Sequence, residues 1–198
     1  MKAPAKRRAS HRKPRADAQR NRDRLLAAAK AAFADLGADV SLDEITRRTG
    51  VGIGTLYRHF LSRDALVEAV YRGEVQQLAE AASRLGESLP AGDALHEWML
   101  LFVDYIAAKK VIAPALATVV GGASELYAAS GARISEAMSG LVARARMSGD
   151  IRADADSADL LRALVGFAYA SKGPDWEASA KRLIDILMDG LRASRPES

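Results

Sequence analysis

An all-α chain with a helix-turn-helix near its N-terminus is what this sequence predicts, on three observations. Proline is scarce, six in 198 residues, while Ala, Leu and Arg, all favourable in helices, are frequent and β-branched runs are few. Apolar residues recur three and four positions apart through most of the chain. At Ser41 a capping pattern opens two short periodic segments separated by glycine. About nine helices are expected, with the helix-turn-helix followed by a longer helical half.

Taken in order, residues 1–16, with two prolines among mixed basic residues, read as an arm that is disordered without a partner. A first helix runs from near Ala18 to Leu36, stops at Gly37, and offers Leu25, Leu26, Ala29, Phe33 and Leu36 to whatever packs on it. Ser41 and Glu44 have the spacing of a capping box, in which the hydroxyl takes a first-turn amide and the carboxylate reaches back to the serine amide. Leu42, Ile45 and Val51 face inward, Gly50 occupies the turn, and Gly52-Ile53-Gly54-Thr55 opens a second short helix carrying Leu56 and Phe60. Alternating glycines at 50, 52 and 54 invite comparison with a dinucleotide loop. That pattern would need glycine at Tyr57 or at Thr55, after a strand that is absent. A plain helical hairpin is the remaining alternative.

From Ser62 a long helix reaches about Leu85, with Leu66, Val70, Leu78, Ala82 and Leu85 on one stripe. Gly86 to Gly92, containing Pro90, reads as a loop. A fifth helix from Asp93 to Lys109 is apolar nearly all round, as a fully buried helix is. Val111 to Val120 reads as a separate short helix with Pro114 in its first turn, stopped by Gly121 and Gly122. Ser124 to Met147, bent near Ser130-Gly131, is followed by a helix capped at Asp156 or Ser157 and running to Ala170. A last helix runs from Pro174-Asp175 to Leu191. The resulting units are residues 1–16 as a basic arm, 17–62 as the helix-turn-helix unit, 63–86 as a connecting helix and 87–195 as a helical second half.

Composition excludes several chemistries. The chain has no cysteine, so it has no disulfide framework, thiol nucleophile or thiolate metal site. His11, His59 and His96 share no metal-ligand spacing, so no metal or other cofactor is expected. No apolar run is long enough for a bilayer, and the basic N-terminus lacks the apolar core of a signal peptide, so a cytoplasmic, non-membrane location is expected. Net charge is +4, but residues 1–24 hold ten Lys or Arg against two Asp, a local +8 that leaves −4 on the remainder. A basic arm on a mildly acidic body suits a polyanion met at one end.

Gly52 to Phe60, Gly-Ile-Gly-Thr-Leu-Tyr-Arg-His-Phe, resembles the recognition-helix signature of the TetR family of bacterial transcriptional repressors. The likeness extends to the preceding helix, with Leu26, Ala29, Phe33 and Leu36, and to Ser62-Arg63-Asp64-Ala65-Leu66 after it. Beyond this N-terminal quarter the chain resembles the family only in being a helical ligand-binding and dimerisation half, so the resemblance makes residues 17–62 the DNA-binding domain and 87–195 the ligand-binding and dimerisation domain. The resemblance implies a homodimer that binds double-stranded DNA and answers a small apolar or aromatic effector.

Ile53, Gly54 and Thr55 would meet base edges, and the Thr55 methyl could touch a thymine methyl. The resemblance places Tyr57 and His59 on phosphates, and Arg58 reaches either bases or backbone. Arg24, Ser41, Thr46, Arg47 and Arg63 are further phosphate candidates. In the second half, Trp98, Phe102, Tyr105, Tyr127, Met138 and Phe167 each suit core packing; together they suggest an effector pocket. Asp104 is either at a solvent edge or a polar anchor in that pocket. Leu160, Leu164, Phe167, Leu183, Leu187 and Leu191 form stripes that a second copy would cover. Two rivals stand beside the regulator reading. A non-specific DNA-compacting protein would use the same basic charge. A small helical enzyme would use the aromatic pocket, with no catalytic residues to nominate.

Overall fold

The computed structural model describes residues 12–119, 123–170 and 173–192. Among the described residues there are eight helices: α1 (Arg12–Leu36), α2 (Leu42–Thr49), α3 (Ile53–His59), α4 (Arg63–Ser88), α5 (Ala91–Ala117), α6 (Ser124–Met147), α7 (Ser157–Ala170) and α8 (Trp176–Leu191). No strand occurs among the described residues, although an isolated bridge ties Ile151 to Arg192 beyond the end of α8. No described helix is long and apolar enough to cross a membrane.

The predicted arm and the structure differ at Arg12, where α1 already begins. Pro14 falls in the first turn, where a missing amide breaks no hydrogen bond and the fixed φ suits a helix. Met1 to His11 lie outside the described residues. Leu25, Ala29 and Phe33 are buried as expected, but Leu36 is 55% exposed, so the apolar stripe of α1 ends one turn before the helix does.

α4 and α5 form the central pair of the body; the expected loop between them is shorter than predicted, and the expected break within α5 is absent. Gly86, read as the start of a loop, lies inside α4. A Cβ there would overlap the Arg144 guanidinium, which donates to the Gly86 carbonyl at 2.5 Å. This glycine marks a close approach of α6 to α4, not a helix end. Only Leu89 and Pro90 separate α4 from α5.

Pro114, read as the opening of a new helix, instead lies inside α5 near its end. Ile112, Ala115 and Leu116 continue the buried stripe of Phe102, Val103 and Ile106, and their burial outweighs the local cost of one lost helical hydrogen bond. The merger explains why eight described helices stand where about nine were expected. Val120, Gly121 and Gly122 lie outside the described residues. Nor is α5 buried on every side: Glu97, Leu101 and Asp104 face solvent, and Asp104 pairs with Lys181 of α8 at 2.7 Å. Asp104 is therefore at the solvent edge.

Candidate nucleic-acid interface

The turn between α2 and α3 is fixed from both sides. Gly50 adopts φ 65° and ψ 15° at the end of α2, a left-handed conformation that is nearly free only for glycine. The Thr49 hydroxyl donates to the Thr46 carbonyl at 2.9 Å and accepts the Val51 amide at 3.1 Å. Arg24 of α1 donates to the Thr49 carbonyl at 2.8 Å. Leu56 and Phe60 are buried, and the Arg22 guanidinium lies 5.0 Å from the Phe60 ring centroid. Arg22 belongs to the basic N-terminal count, but no motif marked it as a support for this helix.

Ser41 caps α2, its hydroxyl accepting the Glu44 amide at 3.2 Å. The other half of the expected capping box is not made. The Glu44 carboxylate instead accepts from Arg47 at 2.8 Å and from Arg48 at 3.0 Å, while Arg48 also donates to Asp35 of α1 at 2.7 Å. These partners pull the Glu44 carboxyl from its ordinary 4.5 down to about 2. The pairing is therefore complete above pH 4.5 and is lost as pH falls toward 2.

What remains free is one face of α3. Gly52, Ile53, Gly54, Tyr57 and Arg58 are exposed there, Tyr57 at 48%, while Thr55 and His59 are half-buried at its edges. Tyr57 thus does not fill the domain core. Small residues at the start of the helix let its backbone approach base edges, and Tyr57 and Arg58 one turn on supply donors for phosphate or base. Arg47 extends the basic rim, its side chain 75% exposed.

Two phosphate candidates are engaged within the chain. Thr46 is buried, and its hydroxyl donates to the Asp43 carbonyl at 2.9 Å. Arg63 turns inward, donating to the Val40 and Ala38 carbonyls with its guanidinium 5.9 Å from the Phe33 ring centroid. It clamps the α1–α2 turn onto α4. Arg63→Ala is accordingly expected to lower unfolding stability by about 1–3 kcal/mol, because two turn carbonyls lose their donor. Urea denaturation checks this. Unchanged stability with a shallower salt dependence of DNA binding would return Arg63 to the phosphate set.

In the second half, Trp98, Phe102, Tyr105 and Met138 are all buried in the core. The Trp98 indole donates to the Leu78 carbonyl at 2.9 Å, and the Tyr105 and Tyr71 hydroxyls lie 3.1 Å apart. Burial and this neighbour push the Tyr105 phenol strongly up. Tyr127 meets the Tyr71 ring edge-on, with centroids 5.6 Å apart, and Phe167 is half-buried. Trp98, Phe102, Tyr105, Tyr71 and Tyr127 thus form a run of ring contacts in the core, as an aromatic stripe on a central helix does when it fills the interior.

The expected dimer stripe is partly taken up by the chain's own packing. Leu160, Leu164 and Leu191 are buried within the chain, and Leu183, Leu187 and Phe167 are half-buried. The large apolar residues that α7 and α8 turn outward are Val165, Tyr169 and Ile186. His96 joins α5 to α8 through Asp185 at 2.8 Å, and no cluster of metal-ligating residues exists among the described residues.

Comparison with known proteins agrees with this geometry. Residues 25–70 match the family described as bacterial regulatory proteins, tetR family, and residues 90–193 match the transcriptional regulator SbtR-like C-terminal domain. A TetR transcriptional regulator of Streptomyces coelicolor superposes with a TM-score of 0.80 at 44% identity, over 88% of this chain and 100% of its own. A TetR regulator of Mycobacterium vanbaalenii gives 0.76 at 36%, over 90% and 99%. Among curated relatives, an HTH-type transcriptional regulator of Staphylococcus aureus is 36% identical over 101 residues, 48% of this chain and 52% of that one. The regulator UidR of Escherichia coli is 33% identical over 91 residues, 46% and 41% of the two chains. This chain thus spans about half the length of the curated relatives it matches. With a helix-turn-helix matched at one end and a regulator's C-terminal domain over more than half its length, the chain belongs to the TetR family of transcriptional regulators.

Proposed function

We propose that this chain is a homodimeric repressor that reads a palindromic DNA site with α3 and leaves it when a small effector binds. The observation that carries the reading is the exposed, nearly bare start of α3, held on a support that leaves Ile53 and Gly54 free to approach base edges. Ile53, Gly54 and Thr55 would read bases, whereas Tyr57, His59, Arg47 and the Ser41 end of α2 would hold phosphates. Arg24 would add to these with the part of its guanidinium not spent on Thr49.

Pairing follows from reach. One short helix touches few base pairs, and a twofold copy about 34 Å away reads a second half-site. The outward Val165, Tyr169 and Ile186 of α7 and α8 support that pairing, since a second copy would cover them. α4 runs from the reading unit into the body and would transmit effector binding to helix spacing. A hundredfold release needs about 2.7 kcal/mol of differential binding, an ordinary coupling energy.

A Thr55→Ala variant on the preferred duplex and on scrambled ones tests the reading role. The loss should be about 1–3 kcal/mol on the preferred sequence and slight elsewhere. Equal losses on every duplex would mean that α3 binds by charge alone, as a compacting protein does.

A further inference from the structure

Where the two halves meet, α1, α4, α5 and α8 line a half-open cavity of about 380 Å³, within the roughly 300–1,000 Å³ range of small-molecule sites. Phe33, Val70, Val111, Ile112 and Trp176 give it apolar walls, and its charged groups are Lys30, Glu74, Lys110 and Glu177.

These charges are not equally available. Lys110 donates to the Ala168 carbonyl at 2.6 Å and sits 3.4 Å from the Trp176 ring centroid, so α7 and α8 already hold its ammonium. Glu74 is only 9% exposed, and one of its oxygens accepts from Lys30 of α1 at 2.8 Å. A carboxylate this buried needs a cationic partner. The Lys30 side chain is 48% exposed and can withdraw into water. An anionic ligand would have to pull Lys110 from its carbonyl and ring while facing Glu74 and Glu177. A cation has only to displace a half-solvated lysine.

We propose that this junctional cavity binds a small organic cation, an amine on an apolar body, whose ammonium replaces Lys30 on Glu74. The exchange would remove the ion pair that joins α1, the support of the reading unit, to the connecting helix α4. This assignment rests on the ligand-responsive reading above for its regulatory consequence, but not for binding itself.

Calorimetric titration of the full chain with 4-phenylbutylamine and with 4-phenylbutyrate, which share an apolar body and differ in head charge, tests the site. The amine should bind at least tenfold tighter than the carboxylate. Glu74→Gln should abolish that preference, and Lys30→Met, which removes the competing cation, should tighten amine binding severalfold. Trp176→Ala should weaken both compounds. Equal affinities, a preference for the carboxylate, no detectable binding of either, or amine binding unchanged by Glu74→Gln and Lys30→Met would each overturn the assignment. Amine binding that leaves DNA affinity untouched would uphold the site and contradict ligand-driven release. Intact DNA recognition with no amine binding would overturn the site alone.

Discussion

Gly54→Glu is expected to leave the fold intact and to weaken DNA binding at least about a hundredfold, some 2.7 kcal/mol. A Cβ at this position meets nothing within 4 Å, the residue is exposed, and its φ is not positive. A side chain therefore costs the protein nothing sterically, and replacing a helical glycine favours the helix by several tenths of a kcal/mol. The same side chain would stand where the helix backbone approaches base edges, bringing a carboxylate toward phosphates and base acceptors. Like-charge juxtaposition across an interface costs several kcal/mol. Thermal denaturation beside fluorescence-anisotropy titration of a duplex separates the two effects. A variant that melts as the wild type does yet binds DNA normally would remove α3 from the interface.

Trp98→Ala is the counterpart in the body, with an expected loss of about 3–5 kcal/mol of unfolding free energy. The indole is fully buried and bonded to the Leu78 carbonyl, and its ring lies 6.0 Å from that of Phe102. Removing it opens a cavity between α4 and α5, the central pair. Against the 5–15 kcal/mol typical of a folded domain, such a loss is a large fraction of the total. Chemical denaturation with tyrosine fluorescence measures it. A loss below about 1 kcal/mol would mean that Trp98 borders open space, as an effector pocket would require.

These two positions show what kind of information the sequence holds. The reading unit was legible because its determinants are local: a serine cap, a glycine in the turn, and Leu56 and Phe60 four residues apart. Sequence says least where a residue's surroundings depend on a distant partner. Gly86 looks like a break until Arg144 is seen crossing it, and Pro114 looks like a beginning until Ile112 and Leu116 are seen to extend the stripe of Phe102 and Ile106. Arg63 carries the charge of a phosphate contact, but the Val40 and Ala38 carbonyls that claim it lie more than twenty residues away. The expected dimer stripe is affected in a related way. Periodicity finds the most apolar face of a helix, and in α7 and α8 the chain's own core takes much of that face. The Glu74 site left no sequence signal, because Lys30 lies 44 positions from its partner.

Selection of binders from a pool of random duplex DNA at near-physiological salt tests the central claim most directly. The account predicts an enriched palindrome whose half-sites lie about 34 Å apart or a multiple of it, as two copies of α3 in a twofold dimer require. Retention of DNA with no enriched sequence, or no retention, would contradict it.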